Sequence, residues 1–109
     1  MQRLTTRAQF EAVMAAGIAA RTAHFALHRM PDSDPTIGVV LPKRWAKRAV
    51  TRNTLKRQIY SVSEAAKLPA GAYVVRLRTT FGGYRSATCL LLKREARAEL
   101  QQLFAQVAA

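Results

Sequence analysis

Cysteine, acidic residues and long apolar runs are all scarce in this chain, and each scarcity removes a class of protein. The single cysteine, Cys89, has no partner within the chain, so no internal disulfide supports the fold. No stretch approaches the roughly 20 consecutive apolar residues needed to cross a bilayer. No cationic start leads into the apolar run of a secretion signal, and a cytoplasmic protein is expected. Asp and Glu number only 6, against 18 Lys and Arg, a formal net charge of +12.

The residues of protein-based catalysis are missing as well. His24 and His28 stand four apart, but on a strand-like stretch, with no Cys or carboxylate nearby to complete a metal site. No close carboxylate pair is present for acid–base work. Ser61 and Ser63 lack a histidine nearby in sequence, and neither a Walker motif nor a dinucleotide fingerprint occurs. Cys89 falls on an apolar helical stripe and reads as core rather than nucleophile. No catalytic residue and no protein metal site are therefore expected.

What is present is one compact chain with a concentrated charge. Its length suits a single domain spanning residues 1–109, and half of the residues are hydrophobic, enough for a modest core. There is no internal repeat. An excess of +12 on so short a chain repels itself unless an anionic partner neutralises it. Nucleic acid is the first candidate and a membrane surface the second. The charge is also uneven. From Asp34 to Glu64 no acidic residue intervenes, while Lys43, Arg44, Lys47, Arg48, Arg52, Lys56 and Arg57 crowd into fifteen positions. A merely solvated helix face mixes both signs, and this segment does not.

Periodicity predicts the order αββαβα, an α+β domain. Thr6 and Gln9 form a capping-box pair ahead of Phe10, Val13 and Met14, and Gly17 supplies a stop, so a helix is expected over Arg7–Ala16. Thr22–Met30 alternates, with Ala23, Phe25 and Leu27 on one face and His24, Ala26 and His28 on the other. Beyond the breaker-rich Pro31–Pro35, Ile37–Leu41 is expected to pair with it as a hairpin. Leu55, Ile59, Val62 and Ala66 form the apolar stripe of a second helix, with Asn53, Lys56, Arg57 and Tyr60 on or near the opposite side. Arg48 would project onto the apolar stripe, so the regular helix should begin after it, near Thr51, with Lys43–Arg48 an irregular basic lead-in. Pro69-Ala-Gly71 is a turn, Tyr73–Arg78 a third strand, Gly82-Gly83 a break, and Cys89, Leu92, Ala96, Leu100, Leu103 and Val107 the stripe of a last helix.

The motif Arg44-x3-Arg48-x3-Arg52-Asn53-x2-Lys56-Arg57 carries the strongest chemical signal. Guanidinium groups grip phosphates through paired hydrogen bonds, lysines add compact charge, and Asn53 can both donate and accept toward a sugar hydroxyl or a neighbouring Arg. Phe10 falls on an apolar stripe, where such a residue is more often core. His28, on the strand face away from Phe25 and Leu27, reads as an ordinary surface or half-buried residue or as a ring that stacks on single-stranded RNA.

The basic stretch resembles the signature of the bacterial ribonuclease P protein subunit. Lys43-Arg44 matches the leading basic pair, Arg48 lies in the spacer, and Arg52-Asn53-Thr54-Leu55-Lys56-Arg57 matches the centre. Tyr60 departs from the pattern, standing where another Arg is usual. Arg3-Leu4, Phe10-x-x-Val13-Met14, Gly17 and Phe25-Ala26-Leu27-His28 resemble flanking parts of the family, with Met14 and His28 where aromatics are common. The likeness runs from about Arg3 to Phe104.

The resemblance implies a fold like that of ribosomal protein S5, a sandwich whose second helix makes a left-handed βαβ crossover. It implies docking on a catalytic RNA through Lys43, Arg44, Arg48, Arg52, Asn53, Lys56, Arg57 and Tyr60. It also implies a cleft lined by Phe10, Met14 and His28 for the single-stranded 5′ leader of precursor tRNA. Hydrolysis, with Mg²⁺ bound mainly by the partner RNA, would belong to that RNA and not to this chain. On this view His28 is outside the core and its loss costs little stability, while replacing Arg52 and Arg57 together weakens RNA binding and leaves the fold intact. A ribosomal or RNA-chaperone protein without nuclease activity is the alternative. A helix-turn-helix DNA binder is disfavoured because Pro69-Ala-Gly71 leads into a strand, and a stand-alone nuclease because its residues are missing. Neither DNA nor a membrane is expected as partner.

Overall fold

The computed structural model describes residues 2–81 and 90–107. Five strands and three helices follow in the order β1 (Gln2–Arg3), α1 (Arg7–Ala15), β2 (Ile18–Arg21), β3 (Phe25–Met30), β4 (Thr36–Val40), α2 (Ala49–Ala66), β5 (Ala72–Leu77) and α3 (Leu90–Ala105). The expected α+β domain is present. Cys89 and the Gly82-Gly83 break lie outside the described residues.

Local chemistry explains the first helix. The Thr6 hydroxyl accepts from the Gln9 amide at 3.3 Å, and the Gln9 side chain accepts from the Thr6 amide at 3.1 Å, closing the capping box. Gly17 ends the helix at φ +98, where a Cβ would be strained. The second helix begins after Arg48, as its stripe requires, but at Ala49, slightly ahead of Thr51.

The sheet differs from the expected topology. Its order is β1-β4-β5-β3-β2, so β3 and β4 do not form a hairpin. β5 lies between them, antiparallel to β3 and parallel to β4. The physical reason is burial. Ala72 through Val75 and Leu77 are all buried, and a strand covered on both faces belongs in the centre of a sheet. β4 and β5 are thus parallel neighbours joined through α2. Two strands escaped the sequence pattern. β1 is only two residues long and pairs parallel with β4. β2 pairs antiparallel with β3 through a register irregularity between Ile18 and Ala20, and its Ile-Ala-Ala-Arg sequence has no clean alternation to announce it. Residues 22–24, expected as strand, form the turn between β2 and β3. Glu99 of α3 holds that turn by accepting from the Thr22 hydroxyl, the His24 amide and the His24 ring.

Each face of the sheet has its own core. α2 and α3 cover Phe25, Leu27, Ile37, Tyr73, Val75 and Leu77 with Leu55, Ile59, Val62, Leu92, Ala96, Leu100, Leu103 and Phe104. α1 covers the other face, where Val13, Ala72 and Val74 form a smaller cluster with Phe10, Met14, Met30 and Val40 at its margin. Gly38 lets α1 approach. A Cβ there would stand 2.5 Å from Phe10 Cε1 and 3.0 Å from Leu4 Cδ1. Gly38→Ala is therefore expected to destabilise the domain by about 1–3 kcal/mol through overpacking. Part of that loss should return in a Phe10→Leu background. Urea unfolding checks this, and an unchanged midpoint in Gly38→Ala would show that the ring moves aside freely.

Candidate nucleic-acid interface

The basic segment folds in two parts. Pro42–Ala46 forms a turn in which the Pro42 carbonyl accepts from the amides of Trp45 and Ala46, at 3.0 and 3.1 Å. This places Lys43 and Arg44 outward, with the Arg44 guanidinium 5.1 Å from the Trp45 ring centroid. Lys47 and Arg48 follow on the exposed approach to α2.

Along α2 the motif diverges around Asn53. Arg52, Asn53 and Lys56 border a groove against Val39 and Leu41 at the β4 edge. Asn53 and Arg57 border another, beside Val50 and the Lys93 side chain of α3. Lys93 adds a cation that no sequence motif announced, because only packing of α3 on α2 brings it there. Asn53, Lys56 and Arg57 are exposed.

Two members of the expected docking set have duties inside the fold. Arg52 Nη1 donates to the carbonyls of Ala46 and Lys47, each at 2.9 Å, and so ties the lead-in to the helix. Arg52 thus has a structural contact beside the docking role expected of it. Tyr60 is half-buried and packs against the main core, and its ring lies under the Arg3 guanidinium at 3.8 Å.

The three residues expected to line a leader cleft lie on one face of the sheet, but not alike. Phe10 and Met14 project from α1 and are half-buried. His28 is on the same face, opposite to Phe25 and Leu27 as its alternation requires, but it is only 5% exposed. Its placement outside the core is corrected. β2 on one side and β5 on the other flank it in the sheet, and α1 packs above. Nδ1 lies 3.1 Å from the Gly17 carbonyl, and Arg76 Nε donates to Nε2 at 3.3 Å. Only the neutral ring protonated at Nδ1 donates to Gly17 and accepts from Arg76 together. Burial above all, then the Arg76 charge, hold the His28 pKa below its ordinary 6.5, against the raising effect of the Gly17 and Met14 carbonyls. Arg76, half-exposed on β5, is thus a cation held against His28 on this face, and an alternating strand pattern does not announce that partnership.

β4 joins the two surfaces. Val39 borders the basic groove, while Gly38 lies under Phe10 and Val40 joins the cluster beneath α1. Successive residues of a strand point to opposite faces, so the basic groove and the α1 cleft stand back to back across one strand. Among the described residues no three His, Cys, Asp or Glu side chains gather as a metal site, and no helix is long and apolar enough to cross a membrane.

Comparison with known proteins bears on the family and the fold. Residues 1–107 match the family model described as Ribonuclease P. The ribonuclease P protein component of Bordetella parapertussis is 40% identical, over 97% of this chain and 91% of its own. That of Ralstonia pickettii is 36% identical, over 94% and 76%. The fold matches the solved structure of the Staphylococcus aureus RNase P protein with a TM-score of 0.78 at 18% identity, covering 100% of this chain and 99% of that one. It matches the Thermotoga maritima RNase P protein with a TM-score of 0.71 at 20% identity, covering 100% of both. The ribosomal or chaperone alternative is not favoured: the chain belongs to the ribonuclease P protein family, as a protein subunit of a tRNA-processing endoribonuclease.

Proposed function

We propose that this chain binds the catalytic RNA of ribonuclease P and the 5′ leader of precursor tRNA, and that the partner RNA performs the hydrolysis. The observation that carries the reading is the acid-free run from Lys43 to Arg57, folded so that Lys43, Arg44, Lys47, Arg48, Asn53, Lys56 and Arg57 are all exposed on α2 and its lead-in. Such a surface neutralises phosphates and releases their counterions. The half-exposed side chains of Phe10 and Met14, with Arg76 held by His28 on the same face of the sheet, suit an unpaired strand, which offers both base faces and phosphates. His28 serves this cleft by holding Arg76 rather than by stacking.

The chain's own residues do not fit a magnesium site, since no set of acidic or imidazole ligands converges among those described. The reading assigns Mg²⁺ mainly to the partner RNA. The protein's part is to add substrate affinity and to relieve phosphate repulsion that would otherwise demand more Mg²⁺. The expected setting is the cytoplasm, without DNA or membrane partners.

Reconstitution with the cognate catalytic RNA tests this. Adding the protein should lower the Mg²⁺ concentration needed for precursor-tRNA cleavage, and the protein alone should cleave nothing. Specific cleavage by RNA-free protein, or an unchanged Mg²⁺ requirement, would overturn the reading.

A further inference from the structure

Arg52, Lys56 and Tyr60 follow one another at four-residue spacing, so they form one stripe along α2. Arg52 and Lys56 place a cation on successive turns, and the next turn carries a phenol instead. That phenol is not free to swing over a base, because Tyr60 is half-buried against the main core. Its outer face is taken by a guanidinium from another element, Arg3, whose Cζ lies 3.8 Å from the ring centroid.

The position of Arg3 is set by backbone pairing. β1 runs parallel to β4 with Arg3 opposite Ile37, and the Leu4 amide donates to the Ile37 carbonyl at 2.9 Å. Arg3 is exposed, and no carboxylate lies within ion-pair distance of it among the described residues. The fold therefore delivers a cation to the turn of α2 that lacks one. A guanidinium lying on an aromatic face keeps its N–H edge outward, the edge that grips a phosphate through parallel hydrogen bonds.

We infer that Arg3, seated on Tyr60, is the terminal phosphate-binding cation of the α2 face, and that Tyr60 is its platform rather than a residue that stacks on RNA. This rests on the reading of α2 as the surface that docks on the catalytic RNA. The ring restricts a long, flexible side chain to one place, so less freedom is lost when a phosphate binds.

The test is salt-dependent titration of the cognate catalytic RNA with full-length variants, each checked by circular dichroism and thermal unfolding. Arg3→Ala should weaken binding roughly three- to tenfold and flatten the dependence of log K on log salt by about 0.7–0.9, the signature of one lost phosphate contact. Tyr60→Leu keeps apolar volume but removes the seat, and should lose most of the same increment. Tyr60→Phe, which keeps the ring, should restore it. Arg3→Ala with Tyr60→Leu should be no weaker than Arg3→Ala alone, and Tyr60→Arg should rescue Arg3→Ala. Lys56→Ala plus Arg57→Ala serves as reference. If that pair weakens binding while Arg3→Ala changes neither affinity nor slope, the inference fails and the docking face stands. Additive losses in the double variant would overturn the platform role. If the reference pair has no effect either, the docking reading fails and takes the inference with it.

Discussion

Lys56→Ala plus Arg57→Ala is expected to weaken binding of the catalytic RNA by roughly 10- to 100-fold at moderate salt, the scale of two solvent-screened contacts at about 0.7–1.4 kcal/mol each. Both side chains are exposed and flank Asn53 on two different grooves, so the loss should come from the interface and not from unfolding. The slope of log K against log salt should flatten by about 1.4–1.8, taking ~0.7–0.9 per phosphate. Unfolding midpoints should match the unmodified protein. Arg52→Ala should behave differently, because its guanidinium also holds the carbonyls of Ala46 and Lys47. It should lower both RNA affinity and the unfolding midpoint, as the lead-in that presents Lys43 and Arg44 loosens. Unchanged affinity and slope in the Lys56/Arg57 variant, with folded protein, would remove α2 from the interface.

His28→Ala is expected to destabilise the domain by about 1–3 kcal/mol, since it removes a buried ring and its hydrogen bonds to Gly17 and Arg76, which water can only partly replace. For a domain of this size each kcal/mol lowers Tm by roughly 4–8 °C. The loss should also reach function. With Arg76 released, precursor tRNA should bind the holoenzyme less tightly while mature tRNA, which lacks the leader, is bound as before, measured below the lowered Tm. Equal losses on both substrates would mean that His28 and Arg76 serve the fold alone.

A pH dependence follows from the same geometry. The folded-state pKa of His28 lies below the ordinary 6.5, so the unfolded chain takes up the proton first. His28's contribution is complete above about 6.5 and is lost as pH falls from there through the depressed folded value. The groups facing the ring are Arg76 of β5 and the carbonyls of Gly17 and Met14. A protonated ring cannot accept from Arg76 and is repelled by it. Unfolding midpoints of unmodified and His28→Gln protein should therefore converge as pH falls below about 6.5, and curves that stay parallel as far as the protein remains folded would show that His28 does not titrate there.

Sequence by itself determined the partner class and most of the elements. A +12 charge with no acid between Asp34 and Glu64 points to an anionic partner, whatever the fold. The Thr6–Gln9 box, Gly17 and the Leu55–Ile59–Val62 stripe are local signals, because caps and helical faces depend on residues within a few positions of one another. The opposite-face placement of His28 relative to Phe25 and Leu27 was equally legible, since strand alternation is a property of the backbone.

Tertiary structure alone decided who lies next to whom. No local rule places β5 between β3 and β4, because a strand finds the sheet centre by being buried on both faces. Whether the His28 face is open or covered depends on α1 and β2, which meet it from elsewhere in the chain, and the structure covers it. The partnership of His28 with Arg76 spans 48 positions, and Gly38 is needed only because Phe10 arrives above it. Arg3 and Tyr60 are 57 residues apart and meet because β1 pairs with β4 beside α2. Charge and periodicity are sums over neighbours in sequence, whereas burial and pairing are set by chain segments that sequence distance does not relate.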